Sequence, residues 1–156
     1  MKMGELKKQA AMHHVLLLQE THGESGDSAT FARELVEFIT CFSPGATSGV
    51  GGVTIAIRKS ILKQFDYINE VVITIGRAMA VHLSGPRGSI SFISVHINPA
   101  MNYLAKCRAM DAVHAALPDL PSLWIMGGDW NHEAMGDSRF NAIAGEHIHR
   151  HEPEAE

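Results

Sequence analysis

The chain has 156 residues, about the length of one globular domain, and a formal net charge of −4 at pH 7. Apolar residues make up 46% of it and its mean hydropathy is zero, which argues against a disordered chain. The negative charge also argues against a basic face for non-specific nucleic-acid binding. No apolar run approaches the roughly 20 residues of a membrane span, and we see no signal peptide, so we expect an intracellular protein, cytoplasmic or nuclear, without a membrane partner.

The first predicted elements are a strand, a helix and a second strand. A strand is predicted within 13–21, because a short apolar run there ends in polar residues. A helix is predicted over 27–41, where apolar residues recur at helical spacing: Phe31, Leu35, Phe38 and Ile39. The segment 51–59 opens with two glycines and alternates β-branched residues, which predicts a strand.

The second half of the chain predicts a hairpin, a helix and a last strand. Two alternating segments, 78–83 and 89–97, flank the turn sequence Ser-Gly-Pro-Arg-Gly. A helix within 100–121 is stopped by its closing prolines, and the last strand covers 122–129. This order predicts an α/β layered domain with a mixed sheet and covering helices.

Polar side chains follow three of the predicted strands at the point where each strand ends. Glu20 ends the first apolar run, His96 ends the hairpin, and Asp129 and Asn131 end the last strand. Neighbouring strand ends meet at one rim of a sheet, so a carboxylate and an Asp-x-Asn pair there could share a hard cation such as Mg²⁺. The preceding glycines, 127–128, predict a sharp bend that lets a phosphate approach the backbone.

These motifs and their order resemble the endonuclease/exonuclease/phosphatase superfamily, which has the DNase I-like fold. The resemblance rests on Gln-Glu at 19–20, Gly-Gly-Val at 51–53, Arg77, the His-x-x-Pro that begins at His96, and Gly-Asp-Trp-Asn at 128–131. The order agrees across residues 13–133, which is most of the chain. Trp130 makes the last motif slightly more similar to endonucleases of LINE-type mobile elements than to sugar-phosphate phosphatases.

The resemblance implies a metal-dependent phosphodiester hydrolase with Mg²⁺ or Mn²⁺ as cofactor and DNA as substrate. Glu20 and Asp129 would form the metal site, and Asp129 would also position or deprotonate the attacking water. Asn131 would hold the phosphate or the water. His96 would act beside the scissile group as a proton donor or as a stabiliser of the transition state.

Two departures from the family pattern predict a chain truncated at both ends. Family members begin with an Asn-bearing strand and close with a Ser-Asp-His segment, and neither pattern is present here. We therefore expect an N-terminal extension over 1–12, a partial DNase I-like sandwich over 13–143 and a flexible His-rich, acidic tail over 144–156. A half sandwich would expose one sheet face, which predicts self-association.

The same residues also have simpler interpretations. Glu20 could cap a turn, Asp129 and Asn131 could form an Asx-type turn, and His96 could be a satisfied histidine on a half-buried strand. For Arg77 a hydrogen bond within the sheet is the favoured role. Two other functions stay open: a catalytically silent remnant that only folds or binds, and a phosphatase acting on inositol or lipid headgroups.

Overall fold

The fold is taken from a computed structural model that describes residues 3–22, 28–45, 50–118, 122–131, 138–141 and 146–149. Its helices are α1 (Met3–Met12), α2 (Ser28–Glu34), α3 (Lys59–Leu62) and α4 (Tyr103–Ala115). Its strands are β1 (Val15–Gln19), β2 (Phe38–Ser43), β3 (Val53–Arg58), β4 (Tyr67–Thr74), β5 (Ala78–Gly85), β6 (Gly88–His96), β7 (Leu123–Asp129), β8 (Ser138–Asn141) and β9 (Glu146–His149).

Two sheets account for the first seven strands. One sheet has the order β1-β3-β2 and is antiparallel throughout. The other has the order β4-β5-β6-β7 and is mixed, because β6 and β7 run parallel while the remaining pairs are antiparallel. Strands β8 and β9 pair with each other in a separate antiparallel ribbon.

The main core lies between the two sheets. Every second residue of β3 and of β5 points into it, as the pleat of a strand requires. Its buried members are Cys41, Val53, Ile55, Ile57, Met79, Val81, Leu83 and Phe92. The sheets therefore pack face to face as a sandwich.

Helices cover the outer face of each sheet. Leu6 and Ala10 of α1 pack with Leu35, just after α2, against the β1-β3-β2 sheet. Val113 of α4 packs on the other sheet, against Ile93 and neighbouring apolar residues. The result is four layers, helix, sheet, sheet and helix, which confirms the predicted α/β layered class with a mixed sheet.

The largest error of the sequence prediction is the helix expected over 27–41. Helix α2 ends at Glu34, and Phe38 and Ile39 belong to strand β2 instead. The segment from Phe38 is rich in aromatic and β-branched residues, and it pairs with β3 along its whole length. The helical spacing of its apolar residues was therefore coincidental.

The two assigned strands show how the sheets of the partial sandwich are covered. With β2 and β4 assigned, three strands face four across the main core, and helices cover both outer faces. In the described part of the chain, many of the exposed apolar side chains lie on the two edge strands of the second sheet, β4 and β7, as at Tyr67 and Trp124.

The two predicted terminal segments contain secondary structure. The segment 1–12, set apart as an extension, contains α1, whose Leu6 is 1% exposed in the helix-covered core. The tail expected over 144–156 contains β9, and the rest of it lies outside the described residues. Within the described ranges, no helix is long and apolar enough to cross a membrane.

Candidate functional site

Glu20 lies immediately after β1, where that strand touches the opposite sheet. The side chain of the preceding Gln19 donates from Nε2 to the Ser94 Oγ across the sandwich, over 3.0 Å. The Ser94 hydroxyl in turn donates to the Leu18 carbonyl. These contacts fix the end of β1 against the C-terminal part of β6, so that Glu20 emerges beside the end of β6.

His96 and Asp129 are brought together by the parallel pairing of β6 with β7. They are direct partners in the register, and the Ile97 N–H donates to the Asp129 carbonyl over 2.8 Å. Both side chains therefore leave the sheet at the same rim. The sequence placed these residues on two strand ends, and the register makes the two ends neighbours.

The glycine pair before Asp129 does not form the predicted bend. Gly127 and Gly128 lie inside β7, and neither has a positive φ. A Cβ on Gly128 would lie 1.8 Å from the Val95 carbonyl oxygen. Gly128 is needed because β7 passes so close to β6, so the hinge interpretation is wrong and a close strand approach replaces it.

His96 is buried, and both of its ring nitrogens have partners. The side chain is 3% exposed; Nε2 lies 3.1 Å from Glu20 Oε1, and the Arg77 guanidinium donates to Nδ1 over 2.9 Å. Because arginine can only donate, Nδ1 is the acceptor and the proton of the neutral ring is on Nε2, facing the carboxylate. Arg77 thus fixes the tautomer that holds Glu20.

Burial is the main reason that the pKa of His96 lies below its usual value of 6.5. The Glu20 carboxylate opposes this shift, Arg77 adds to it, and Asp129 opposes it in turn. Two carboxylates from two different strands therefore act on one imidazole. Glu20 and Asp129 therefore both lie close to the ring of His96.

His22 is a member of this cluster that the sequence analysis missed. Its Nε2 lies 2.9 Å from Glu20 Oε2, so the two carboxylate oxygens of Glu20 each face a different histidine. The only signal in the sequence is a histidine two positions after the acid. That spacing has no meaning until the backbone conformation of the turn is known.

The backbone of the turn after β1 is unusual. Glu20 and His22 have φ angles of 54° and 44°, in the left-handed region that residues with a Cβ seldom adopt. The N–H of His22 donates to the Gly51 carbonyl, and that of Thr21 to the Gly52 carbonyl. Such conformations cost roughly 1–3 kcal/mol each and cluster at functional sites.

Asp129 and Asn131 form the Asx-type turn that was one interpretation of the sequence. The Asn131 N–H donates to Asp129 Oδ1 over 3.1 Å, and Asn131 Nδ2 donates to the Ile97 carbonyl over 2.8 Å. Lys106 of α4 also donates to the Asn131 carbonyl. Asn131 therefore ties the end of β7 to the end of β6, while the exposed Asp129 side chain stays at the rim.

The donor set suits a hydrated hard cation. Among the described residues no group of three or more His, Cys, Asp or Glu side chains is arranged to hold a metal. Glu20, whose side chain is 47% exposed, and Asp129 offer carboxylate oxygens at the rim. Mg²⁺ binds through one or two protein carboxylates and keeps several waters, so these residues fit it better than they fit a caged ion.

Comparison with known proteins gives one family match and several structural neighbours. The profile of the Endonuclease/Exonuclease/phosphatase family matches residues 4–147, whereas no curated protein matches the sequence significantly. Among solved structures the chain is similar to D. rerio TDP2 complexed with a single-strand DNA product, with a TM-score of 0.61 and 16% identity over 84% of this chain.

Two further structures are similar at the same level. The AP endonuclease LMAP from Leishmania major has a TM-score of 0.62 at 16% identity over 93% of this chain. The endonuclease domain of TRAS1, a telomere-specific non-LTR retrotransposon, has a TM-score of 0.59 at 17% identity over 90%. The chain spans 53%, 57% and 60% of the lengths of the three structures.

Proposed function

The chain belongs to the endonuclease/exonuclease/phosphatase family and has its DNase I-like fold, and on that premise we propose that it is a metal-dependent phosphodiester hydrolase acting on DNA. One observation carries the proposal: Glu20 contacts the imidazole of His96, whose partner in the parallel register is Asp129. Two carboxylates from separate strands therefore share one rim.

Glu20 would be the principal ligand of Mg²⁺ or Mn²⁺, with Asp129 as the second carboxylate. When bound, the cation would offset the negative charge that develops on the phosphate oxygens. Glu20 is available for this because it is at the surface, while the buried His96 orients it from behind. The buried His96 would thus hold the site rigid, and the exposed Glu20 would bind the cation.

Asp129 would accept a proton from the attacking water, whose oxygen forms the new bond to phosphorus as the ester P–O bond breaks. The leaving oxygen would take its proton from solvent water. The hydrogen bond from the Asn131 N–H fixes one oxygen of Asp129 and thereby orients the carboxylate. Asn131 would use the remaining hydrogen of its amide to hold the phosphate or the water.

His96 acts in this proposal as a positioning residue for Glu20 and not as a proton donor to the leaving group. Its Nδ1 accepts from Arg77, its Nε2 faces Glu20, and its side chain is 3% exposed. It therefore has little surface with which to meet a substrate. Losing the Arg77 contact would free the other tautomer and loosen Glu20.

DNA is the proposed substrate because the solved neighbours described above include a complex with single-strand DNA and two endonucleases. The net charge of −4 is compatible with it, since a bound cation would mediate the phosphate contact. The inositol or lipid phosphatase interpretation gains no support from these neighbours. The silent-remnant interpretation is favoured if the nicking test described next shows no cleavage that depends on Asp129.

The test is nicking of supercoiled plasmid with Mg²⁺, compared between the wild type and Asp129→Asn. The asparagine keeps an oxygen for the Asn131 N–H but cannot take a proton, so we expect cleavage to fall by about 10²-fold or more. Asp111→Asn, at an exposed position on α4, is the matched control and should cleave like the wild type. Equal cleavage by all three proteins, or none by any of them, would leave the silent remnant as the better interpretation.

A further inference from the structure

We propose that His22 is a positioning residue for the metal ligand Glu20, forming with His96 a two-histidine clamp on its carboxylate. The inference deepens the proposed function and rests on it. Nε2 of His22 lies 2.9 Å from Oε2, and Nε2 of His96 lies 3.1 Å from Oε1. Each histidine therefore holds a different oxygen of the same group.

The clamp leaves room for a cation. An ionised carboxylate offers about four lone-pair positions, and two donated hydrogen bonds occupy only two of them. One lone pair on each oxygen remains, which is enough for the single contact that Mg²⁺ makes with a carboxylate. Holding Glu20 in one rotamer before the cation arrives reduces the conformational entropy that binding would otherwise remove.

The two histidines differ in how they are fixed. His96 is 3% exposed and is held by Arg77, whereas the side chain of His22 is 43% exposed. His22 is fixed through its backbone, which is left-handed and bonded to the Gly51 carbonyl. A strained conformation that turns an exposed side chain back onto the acid two residues earlier is the observation that assigns it a role.

A role of His22 in metal binding can be distinguished from a role in stabilising the fold. An exposed ion pair contributes little to folding, so replacing His22 should barely change the melting temperature of the metal-free protein. Partners that orient a metal ligand, by contrast, commonly change metal affinity by about 10–100-fold when they are removed. The distinguishing quantity is therefore the affinity for the cation, measured without any substrate.

The experiment is a titration of the protein with Mn²⁺, followed by electron paramagnetic resonance of the free ion, for the wild type, His22→Ala, His22→Gln and His114→Ala. We expect His22→Ala to weaken Mn²⁺ binding by about 10-fold. His22→Gln should restore most of the affinity because its amide can donate to Oε2. His114, exposed near the end of α4, is the control for loss of a surface histidine and should bind like the wild type.

Each result has one meaning. Equal or tighter Mn²⁺ binding by His22→Ala, with a wild type that binds, overturns the role of His22 and leaves the proposed function standing. A wild type that binds no Mn²⁺ overturns both. A melting temperature that falls by many degrees in both His22 variants would show that the residue supports the fold, and would also overturn the proposal.

Discussion

The two turns that present the carboxylates of the site are built in different ways. The turn after β7 is largely local: Asp129 accepts from the N–H of Asn131, two residues later. The turn after β1 depends on distant segments, because the N–H groups of Thr21 and His22 donate to the Gly52 and Gly51 carbonyls. One acid is positioned by its own sequence and the other by the rest of the fold.

The difference extends to the backbone. In the local turn the left-handed residue is Asn131, with φ of 42°, and asparagine tolerates that region well. In the other turn the left-handed residues are Glu20, of a type that seldom adopts this region, and His22, of a type that adopts it more often than most. Local preferences favour the first turn, and its bond to the Ile97 carbonyl adds to them, whereas the second turn depends mainly on the bonds to the Gly51 and Gly52 carbonyls.

The largest effect is expected from Gly128→Ala, which tests the support beneath the local turn. The new Cβ would lie 1.8 Å from the Val95 carbonyl oxygen, on backbone that cannot move without separating β7 from β6. We expect a loss of about 3 kcal/mol or more in the free energy of unfolding, measured by urea denaturation. Gly127→Ala, whose Cβ meets only the tip of Leu17, should lose far less, and equal losses would contradict the assigned contact.

Gly52→Ala tests the non-local turn and should be the next most damaging change. Gly52 has φ of 91°, and a Cβ there would lie 2.7 Å from Thr21 Oγ1 and 3.2 Å from the His22 nitrogen. We expect about 2 kcal/mol of destabilisation together with weaker Mn²⁺ binding, because the clash displaces the Glu20 turn. Gly4→Ala, in open space on α1, is the control. If Gly52→Ala binds Mn²⁺ as tightly as the wild type, Gly52 does not help to position Glu20.

A paired substitution at Asn131 separates the backbone preference of the local turn from its side-chain bond. Asn131→Gly keeps the left-handed conformation but loses the bond from Nδ2 to the Ile97 carbonyl, so about 1 kcal/mol should be lost. Asn131→Ala loses the bond and also strains the backbone, so its loss should be larger by about 1 kcal/mol. Both values come from thermal and urea unfolding, and an alanine variant as stable as the glycine variant would show that the conformation is not strained.

The smallest expected effect is the contribution of His82 to the pH dependence of stability. His82 lies outside both turns and serves as a reference. Burial lowers the pKa of His82 below 6.5, and Nδ1 lies 2.8 Å from the Ser91 hydroxyl. The folded state thus favours the neutral ring, so its contribution to stability is present above 6.5 and decreases as the pH falls below that value. The melting temperature from about pH 8 to about pH 5 should fall less in His82→Gln than in the wild type. If the melting temperatures of the two proteins depend on pH in the same way, the lowered pKa of His82 is contradicted.

Most of the layered fold was accessible from the sequence because its elements are locally patterned. The β5–β6 hairpin, α4 and β7 follow from alternation, turn residues and prolines that act within a few positions of the chain. The segment from Phe38 to Ser43 was not accessible, because its apolar spacing fits a helix and a strand equally. Only its pairing with β3, from Phe38 with Arg58 to Ser43 with Val53, decides in favour of the strand.

The sequence determined the chemical types of the site residues and the ends of their strands, because these depend on neighbours in the chain. It offered the Asx turn of Asp129 and Asn131 only as one interpretation, and the structure shows the bond that forms it. The tertiary structure alone decided that His96 faces Glu20, that Arg77 fixes its tautomer, and that His22 turns back onto the same carboxylate. Those contacts join residues from different strands or require a strained backbone held by a distant glycine. Local pattern carries no information about either, since both depend on how the two sheets pack.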